Sequence, residues 1–273
     1  MRNIPKEFDA EKFSLQKILE LVKVLQEKNS PQEKVIVILG ATGTGKSALA
    51  IQLAEILQTE IISADSMAVY KNFDVGTAKP SAEELKKIPH HLIDILNPEE
   101  KFSVVEFINR AKKIISEINL QKKIPIVVGG TGLYIQALLE GYNFDAEKNK
   151  SQSKNFSVTG KLNYNALVIG LTTCREKLYN RTDLRTQKMF DAGLVEEVQK
   201  LLEGGVKKNS QAMLGIGYKE VLEFLDGNMT LEETISKVAQ ATRNFAKRQL
   251  TWYRRMDYIK FFNVSQKVDN SST

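Results

Sequence analysis

The chain comprises 273 residues, 42% hydrophobic and 26% charged, a composition that excludes a disordered or fibrous chain and permits a sizeable buried core. No apolar run approaches bilayer length, and Met1 to Phe8 lack the apolar stretch of a secretory signal, so a cytoplasmic protein with no membrane partner is expected. A lone cysteine, Cys174, excludes an internal disulfide or a cysteine metal cluster and is expected as a small buried residue, while the net charge of +6 suits phosphate or nucleic-acid partners.

Residues 13 to 28 place Phe13, Ile18, Leu19, Val22 and Leu25 at helical spacing behind a Ser14 cap, which predicts an amphipathic helix docked on the core. Ser30-Pro31-Gln32 ends it. From Lys34 the pattern alternates: strand 35–39, helix 46–57, strand 60–63, and later strand 124–128, which argues for a parallel sheet covered by helices. Between Gly141 and Asn165 the composition shifts to Asn, Lys, Ser and Gln, a flexible linker. Residues 166–171 supply a further strand and 259–264 a last one. The stretch from Arg175 to Arg255 reads as mostly helical, broken at Gly204-Gly205 and around Gly215 to Gly217. The expected divisions are an N-terminal extension (1–33), an α/β core (34–140), the linker (141–165), a C-terminal helical part returning strands to the core (166–264) and a disordered tail (265–273).

The most informative segment follows the run Val35 to Leu39: Gly40-Ala41-Thr42-Gly43-Thr44-Gly45-Lys46-Ser47, opening the helix at 46. This strand–loop–helix pattern is a phosphate-binding loop. Its glycines let backbone N–H groups converge on phosphate oxygens, Lys46 adds charge, and the Ser47 hydroxyl suits Mg2+. ATP or GTP are the usual occupants of such a loop. Hydrolysis needs an acid at the end of a later strand, but strand 124–128 ends in Gly129-Gly130-Thr131. An acid does close the strand after the loop helix, Asp65, and parallel strands bring it to the same edge as the phosphates. That is the place of a general base for an acceptor, so group transfer is favoured over hydrolysis, with Asp65 as a simple turn cap the plainer reading.

Several further segments carry a resemblance: Asp65-Ser66-Met67-Ala68-Val69-Tyr70, Asp74-Val75-Gly76-Thr77-Ala78-Lys79-Pro80, Pro89 to Asp94, Val128 to Tyr134, Gly217-Tyr218-Lys219-Glu220 and Ala246 to Tyr253. In this order they resemble the tRNA dimethylallyltransferases over residues 34 to about 262, the linker apart. The resemblance implies a P-loop-type α/β fold and transfer of a dimethylallyl group from dimethylallyl diphosphate to N6 of adenosine 37, in the tRNA anticodon stem-loop, by a monomer with Mg2+. It implies that the loop grips the donor diphosphate, that Asp65 takes the amine proton, that Arg181 reaches the diphosphate, and that Thr131 lies near the tRNA channel. Asp65 to Ala68, Gly217, Tyr218 and Lys219 would face tRNA. On the last helix Arg243, Lys247 and Arg248, interleaved with Phe245, Trp252 and Tyr253, suit phosphate contact with stacking, though a solvated charged face with Trp252 in the core fits the same pattern. Adjacent His90 and His91 point to opposite sides of most backbones, which argues for a structural role rather than a shared metal.

Three departures from the family concern the acceptor. A helical insertion of several dozen residues after Gly132-Leu133-Tyr134 is reduced to residues 141–165, Ala68 replaces a common glutamine, and Leu214 replaces a usual polar residue. Alternatives therefore stay open at this point: an adenylate isopentenyltransferase acting on free nucleotides, a non-catalytic RNA-binding relative, or a small-molecule kinase.

Overall fold

The computed structural model describes residues 10–141 and 162–265. Residues 266–273 of the expected tail and 142–161 of the expected linker lie outside the described residues.

A seven-stranded, wholly parallel sheet organises the chain. Its strands are β1 (Ala10–Lys12), β2 (Lys34–Gly40), β3 (Ile61–Ser63), β4 (His90–His91), β5 (Ile126–Gly129), β6 (Asn165–Thr172) and β7 (Lys260–Asn263), in the order β1-β7-β6-β2-β5-β3-β4. The central strand β2 is paired on both sides, with Ile36 to Leu39 against Ile126 to Gly129 and Lys34 to Gly40 against Asn165 to Leu171. Because side chains alternate along a strand, β2 feeds two cores. Val35, Val37 and Leu39 enter one and Ile36 and Ile38 the other.

Two helices cover the Ile36/Ile38 face: α1 (Leu15–Glu27), through Ile18, Val22 and Leu25, and α2 (Lys46–Leu57), through Leu49 and Leu53. The opposite face is covered by α4 (Val104–Leu120), α5 (Gly132–Glu140), α7 (Leu194–Glu203), α8 (Tyr218–Leu225) and the end of α9 (Leu231–Tyr253). The short α3 (Ala82–Lys87) and the long α6 (Arg175–Asp191) complete the described α-helices, and Ala212–Leu214 form a single 3-10 turn. The Ser14 cap is present, its hydroxyl accepting from the Lys17 N–H at 3.3 Å. Helix α2 has the bounds expected of it.

The structure corrects the sequence reading at several points. Residues 10–12 form an edge strand against β7, so the N-terminal segment is part of the sheet rather than an appendage. Likewise β6 lies beside β2 at the centre of the same sheet, so no boundary between the 34–140 and 166–264 parts divides it. His90 and His91 form the other edge strand, where the His90 Nδ1 lies 2.7 Å from the Ile88 carbonyl and the His91 Nε2 lies 2.6 Å from a Glu60 carboxylate oxygen. Each ring thus has its own partner, as a structural role requires. Cys174 is exposed, because it is the residue preceding α6 rather than a core position. The C-terminal helical stretch breaks at Gly204 and Gly215–Gly217 as expected, and also at Gly193 and between Asp226 and Thr230.

Candidate active site

All strands run the same way, so the segments leaving β2, β3 and β5 converge on one edge. The phosphate loop leaves β2. Gly43 and Gly45 have φ of +88° and +84°, which a side chain would strain, and Gly45 caps α2 in that left-handed conformation. Inside the loop the Thr44 hydroxyl donates to the Ala41 carbonyl at 2.8 Å. From α9 the buried Gln249 side chain stitches two of the converging segments together. Its Oε1 accepts from the Thr42 N–H at 2.9 Å and its Nε2 donates to the Gly130 carbonyl at 2.9 Å, which also accepts from the Tyr253 hydroxyl at 3.0 Å. Buried polar groups need such partners, and here the partnership fixes loop and strand end together.

Across from the loop, Asp65 follows β3. Its Oδ1 accepts from the Met67 N–H at 2.8 Å, and the neighbouring Ser66 N–H donates to the Thr131 hydroxyl at 3.3 Å. Asp65 is therefore a turn cap and a cleft residue at once. Beyond it, the buried Lys79 ammonium donates to the Tyr70 carbonyl at 2.6 Å and to Asp74 at 2.7 Å, and pairs with Asp94. Asn72, Ala78, Leu92 and Asp94 all take positive φ around this lysine. Four non-glycine residues held there signal a segment whose shape is dictated by its contacts rather than by its own preference.

Between these walls lies a cleft of about 100 Å³ whose lining includes Thr42, Lys46, Ser47, Asp65, Ala68 and Arg185. Ala78, Lys79, Pro80 and Arg185 separate it from a second, open cavity of about 650 Å³ that extends to Lys188 and Met189. Burial, reinforced by the Arg185 guanidinium, pulls Lys46 down from 10.5 to about 8, against an upward pull from Asp65. Burial lowers Arg185 as well, again opposed by Asp65. Lys46 and Arg185 share a desolvated cleft with the Asp65 carboxylate, an arrangement that favours an incoming anion.

The residues singled out from sequence divide into those at this cleft and those elsewhere. Ser47 is exposed on the first turn of α2 and lines the cleft, as do Asp65 and Ala68. Arg181 stands on the face of α6 that packs on the loop, where a Cβ placed on Gly43 would lie 3.4 Å from its own Cβ. Thr131 is tied to Ser66 at the mouth of α5. Met67 packs on Gly215. Tyr218 and Gly217 are buried, which corrects their assignment to an RNA-facing surface: the Tyr218 hydroxyl donates to Glu197 at 2.7 Å and its ring lies 4.7 Å from Phe73. Lys219 is exposed, with Glu220 at 3.5 Å.

On α9, Lys247 and Arg248 are exposed and Arg243 pairs with Asp183. The Tyr179 ring has Arg175, Lys247 and Arg243 at 5.0, 5.7 and 6.0 Å, and Arg248 lies 5.6 Å from the Phe245 ring. Of the aromatic residues expected to stack, Tyr253 is fully buried and belongs to the interior, while Trp252 is half-buried and packs on Gly132. Sequence reading missed Arg185 and Gln249. The available signal for Arg185 was its i,i+4 spacing from Arg181, which puts both on one face of α6.

With this geometry in place, comparison with known proteins is informative. An IPP transferase family model matches residues 68–159 and 145–256. The tRNA dimethylallyltransferase of Anoxybacillus flavithermus is 40% identical over 284 residues, covering 85% of this chain and 91% of that protein. Such an alignment leaves dozens of the relative's residues without a counterpart here, in keeping with the short 141–165 segment. The crystal structure of the full-length tRNA isopentenylpyrophosphate transferase from Bacillus halodurans superposes with a TM-score of 0.77 at 36% identity, covering 88% of this chain and 92% of that one. A eukaryotic dimethylallyltransferase, captured in crystals acting on tRNA, matches with a TM-score of 0.74 at 27% identity, over 86% of this chain and 75% of its own. By sequence over most of its length and by fold, the chain belongs to the IPP transferase family.

Proposed function

We propose that the protein transfers a dimethylallyl group from dimethylallyl diphosphate to N6 of adenosine 37 in the anticodon stem-loop of tRNA, releasing diphosphate. The observation that carries this reading is the meeting of Lys46, Ser47, Asp65 and Arg185 around one cleft. The allylic C–O bond breaks, a C–N bond forms, the amine proton passes to the Asp65 carboxylate, and the electrons of the broken bond leave with diphosphate. Charge grows on the leaving oxygens as the bond breaks, and the loop amides of Gly43 and of Gly45 to Ser47, with Lys46, Arg181 and Arg185, are the donors that stabilise it. An exocyclic adenine amine is a poor nucleophile until it loses a proton, which is the work assigned to Asp65.

The Ser47 hydroxyl, exposed in a cleft lined by oxygen donors, fits Mg2+, a hard cation that asks for one or two protein ligands beside substrate phosphates. When bound it would supply further neutralisation of the leaving diphosphate. Thr131 and Ser66, tied together, shape the acceptor side. Lys219, Lys247, Arg248 and the cations gathered round Tyr179 supply the positive surface for the RNA backbone. That basic surface favours tRNA over a free adenine nucleotide, which needs only the cleft. The protein is read as a monomer of the cytoplasm, where tRNA is found; among the described residues no helix is long and apolar enough to cross a membrane.

The test is to incubate the protein with Mg2+ and labelled dimethylallyl diphosphate in the presence of unmodified tRNA, of AMP, or of neither. Label in tRNA supports the proposal. Label in AMP alone overturns it in favour of the free-nucleotide reading, and diphosphate binding without transfer to either acceptor points to a non-catalytic relative.

A further inference from the structure

A carboxylate outside both cavities governs the segment that forms the wall between them. Glu197, on α7, receives four hydrogen bonds: its Oε2 from the N–H groups of Asp74 at 3.0 Å and Val75 at 2.8 Å, its Oε1 from the N–H of Gly76 at 3.3 Å and the hydroxyl of Tyr218 at 2.7 Å. Three successive backbone N–H groups on one carboxylate hold a turn in a single conformation, since an ionised acceptor makes stronger bonds than a neutral one. Gly76 is required for it. A Cβ there would fall 2.4 Å from the Tyr218 ring, so only glycine lets the phenol slide beneath the turn. Burial and the facing Glu197 carboxylate push the Tyr218 hydroxyl far above its ordinary value, so it remains a donor throughout the working pH range.

The residue after this turn is Thr77. Its carbonyl accepts from an Nη of Arg185 at 3.4 Å, and its hydroxyl donates back to the Phe73 carbonyl at 2.6 Å. Arg185 is the cation that shares the cleft with Lys46 and Asp65. A continuous path therefore runs from α7, through the 74–76 backbone and the Thr77 carbonyl, to the guanidinium at the reacting centre. Lys79 anchors the far end of the same turn through Tyr70, Asp74 and Asp94.

We propose that Glu197 is a positioning residue for catalysis: by clamping residues 74–76 it sets the Thr77 carbonyl and so the Arg185 guanidinium at the donor cleft. This inference rests on the donor-binding reading above. A side chain that only stabilised the fold would lower the melting temperature and leave the chemistry of the folded enzyme unchanged. A positioning residue changes the rate, because small displacements of a catalytic group are costly. Moreover, its effect disappears once the group it positions is gone.

The experiment is a double-mutant cycle of Glu197→Gln and Arg185→Ala, with Glu197→Ala as a second variant, in the full chain. Melting temperature, single-turnover transfer to tRNA and affinity for inorganic diphosphate are each measured. Glu197→Gln keeps the size of the side chain but sets an NH2 group against backbone donors. It is expected to slow transfer on the order of tenfold to a hundredfold and to weaken diphosphate binding while the protein stays folded. In the Arg185→Ala background the same change is expected to cost nothing further in either readout. Losses that multiply, or a Glu197→Gln protein with wild-type rate and diphosphate affinity, overturn the proposal. Should Glu197→Ala fail to fold, the glutamine cycle decides alone. Should the wild-type protein transfer nothing to tRNA, the functional reading fails, whereas the diphosphate cycle still decides the role of Glu197.

Discussion

The two sides of the cleft are built by different means. The donor side is backbone: a loop of glycines between β2 and α2, locked by Gln249 to the end of β5. The acceptor side is set by Asp65, Ser66 and Thr131 beyond β3 and β5, and the cations of the cleft wall and of the basic surface are side chains delivered from α6, α8 and α9, whose positions depend on packing between elements far apart in sequence. A diphosphate is the same in every reaction of this kind, so its site can be written as one short motif. An RNA presents an extended surface, and the residues that meet it must be spread over the fold.

This contrast makes graded predictions. The largest effect should come from Asp65→Ala, which removes the proton acceptor but none of the loop. Transfer should fall by roughly 10²–10⁴-fold with donor affinity nearly unchanged in calorimetry; equal losses of both would place Asp65 on the donor side. Next, Gln249→Ala strips the partner from the Thr42 N–H and one of two from the Gly130 carbonyl, which keeps the Tyr253 hydroxyl. The expected cost is about 1–3 kcal/mol for the unsatisfied Thr42 N–H, read from denaturant unfolding, together with weaker diphosphate binding. An unchanged stability would mean that loop and strand end are held by other contacts.

A smaller effect concerns pH. With Lys46 lowered to about 8, its charged form is complete only well below that pH in the free enzyme and is lost as pH rises through it. An incoming diphosphate favours the charged form, so binding near pH 8 to 9 should take up a proton, measured as a dependence of the binding heat on buffer ionisation enthalpy. Lys46→Arg should abolish the uptake. The mildest change is Lys247→Ala on the basic surface. It should weaken tRNA binding about equally for different sequences and reduce the slope of log affinity against log salt by about 1, leaving donor affinity alone.

The same contrast explains what could be read from sequence. The phosphate loop, β2 and α2 were legible because strand, glycine turn and helix follow one another and are dictated locally. Edge strands β1 and β4 were not, since Ala10–Lys12 and His90–His91 are too short to show a period and owe their conformation to β7 and β3. Tyr218 beside Lys219 suggests a surface motif, yet Gly76 and Glu197, from two distant segments, draw its ring inward. Arg185 looked like any helix arginine because its spacing from Arg181 shows only that the two share a face of α6, not that this face turns to the cleft. Trp252 was legible only as a choice between stacking and packing, which Gly132 decides by leaving room for the indole.

The most direct test of the division between donor and acceptor sides is a crystal structure with Mg2+ and a non-reactive thiodiphosphate analogue of the donor. The diphosphate is expected on the loop amides of Gly43 and of Gly45 to Ser47, with Arg185 in hydrogen-bonding contact and the reacting carbon turned towards Asp65. A diphosphate seated instead in the larger cavity beside Lys188, with the loop empty, would contradict it.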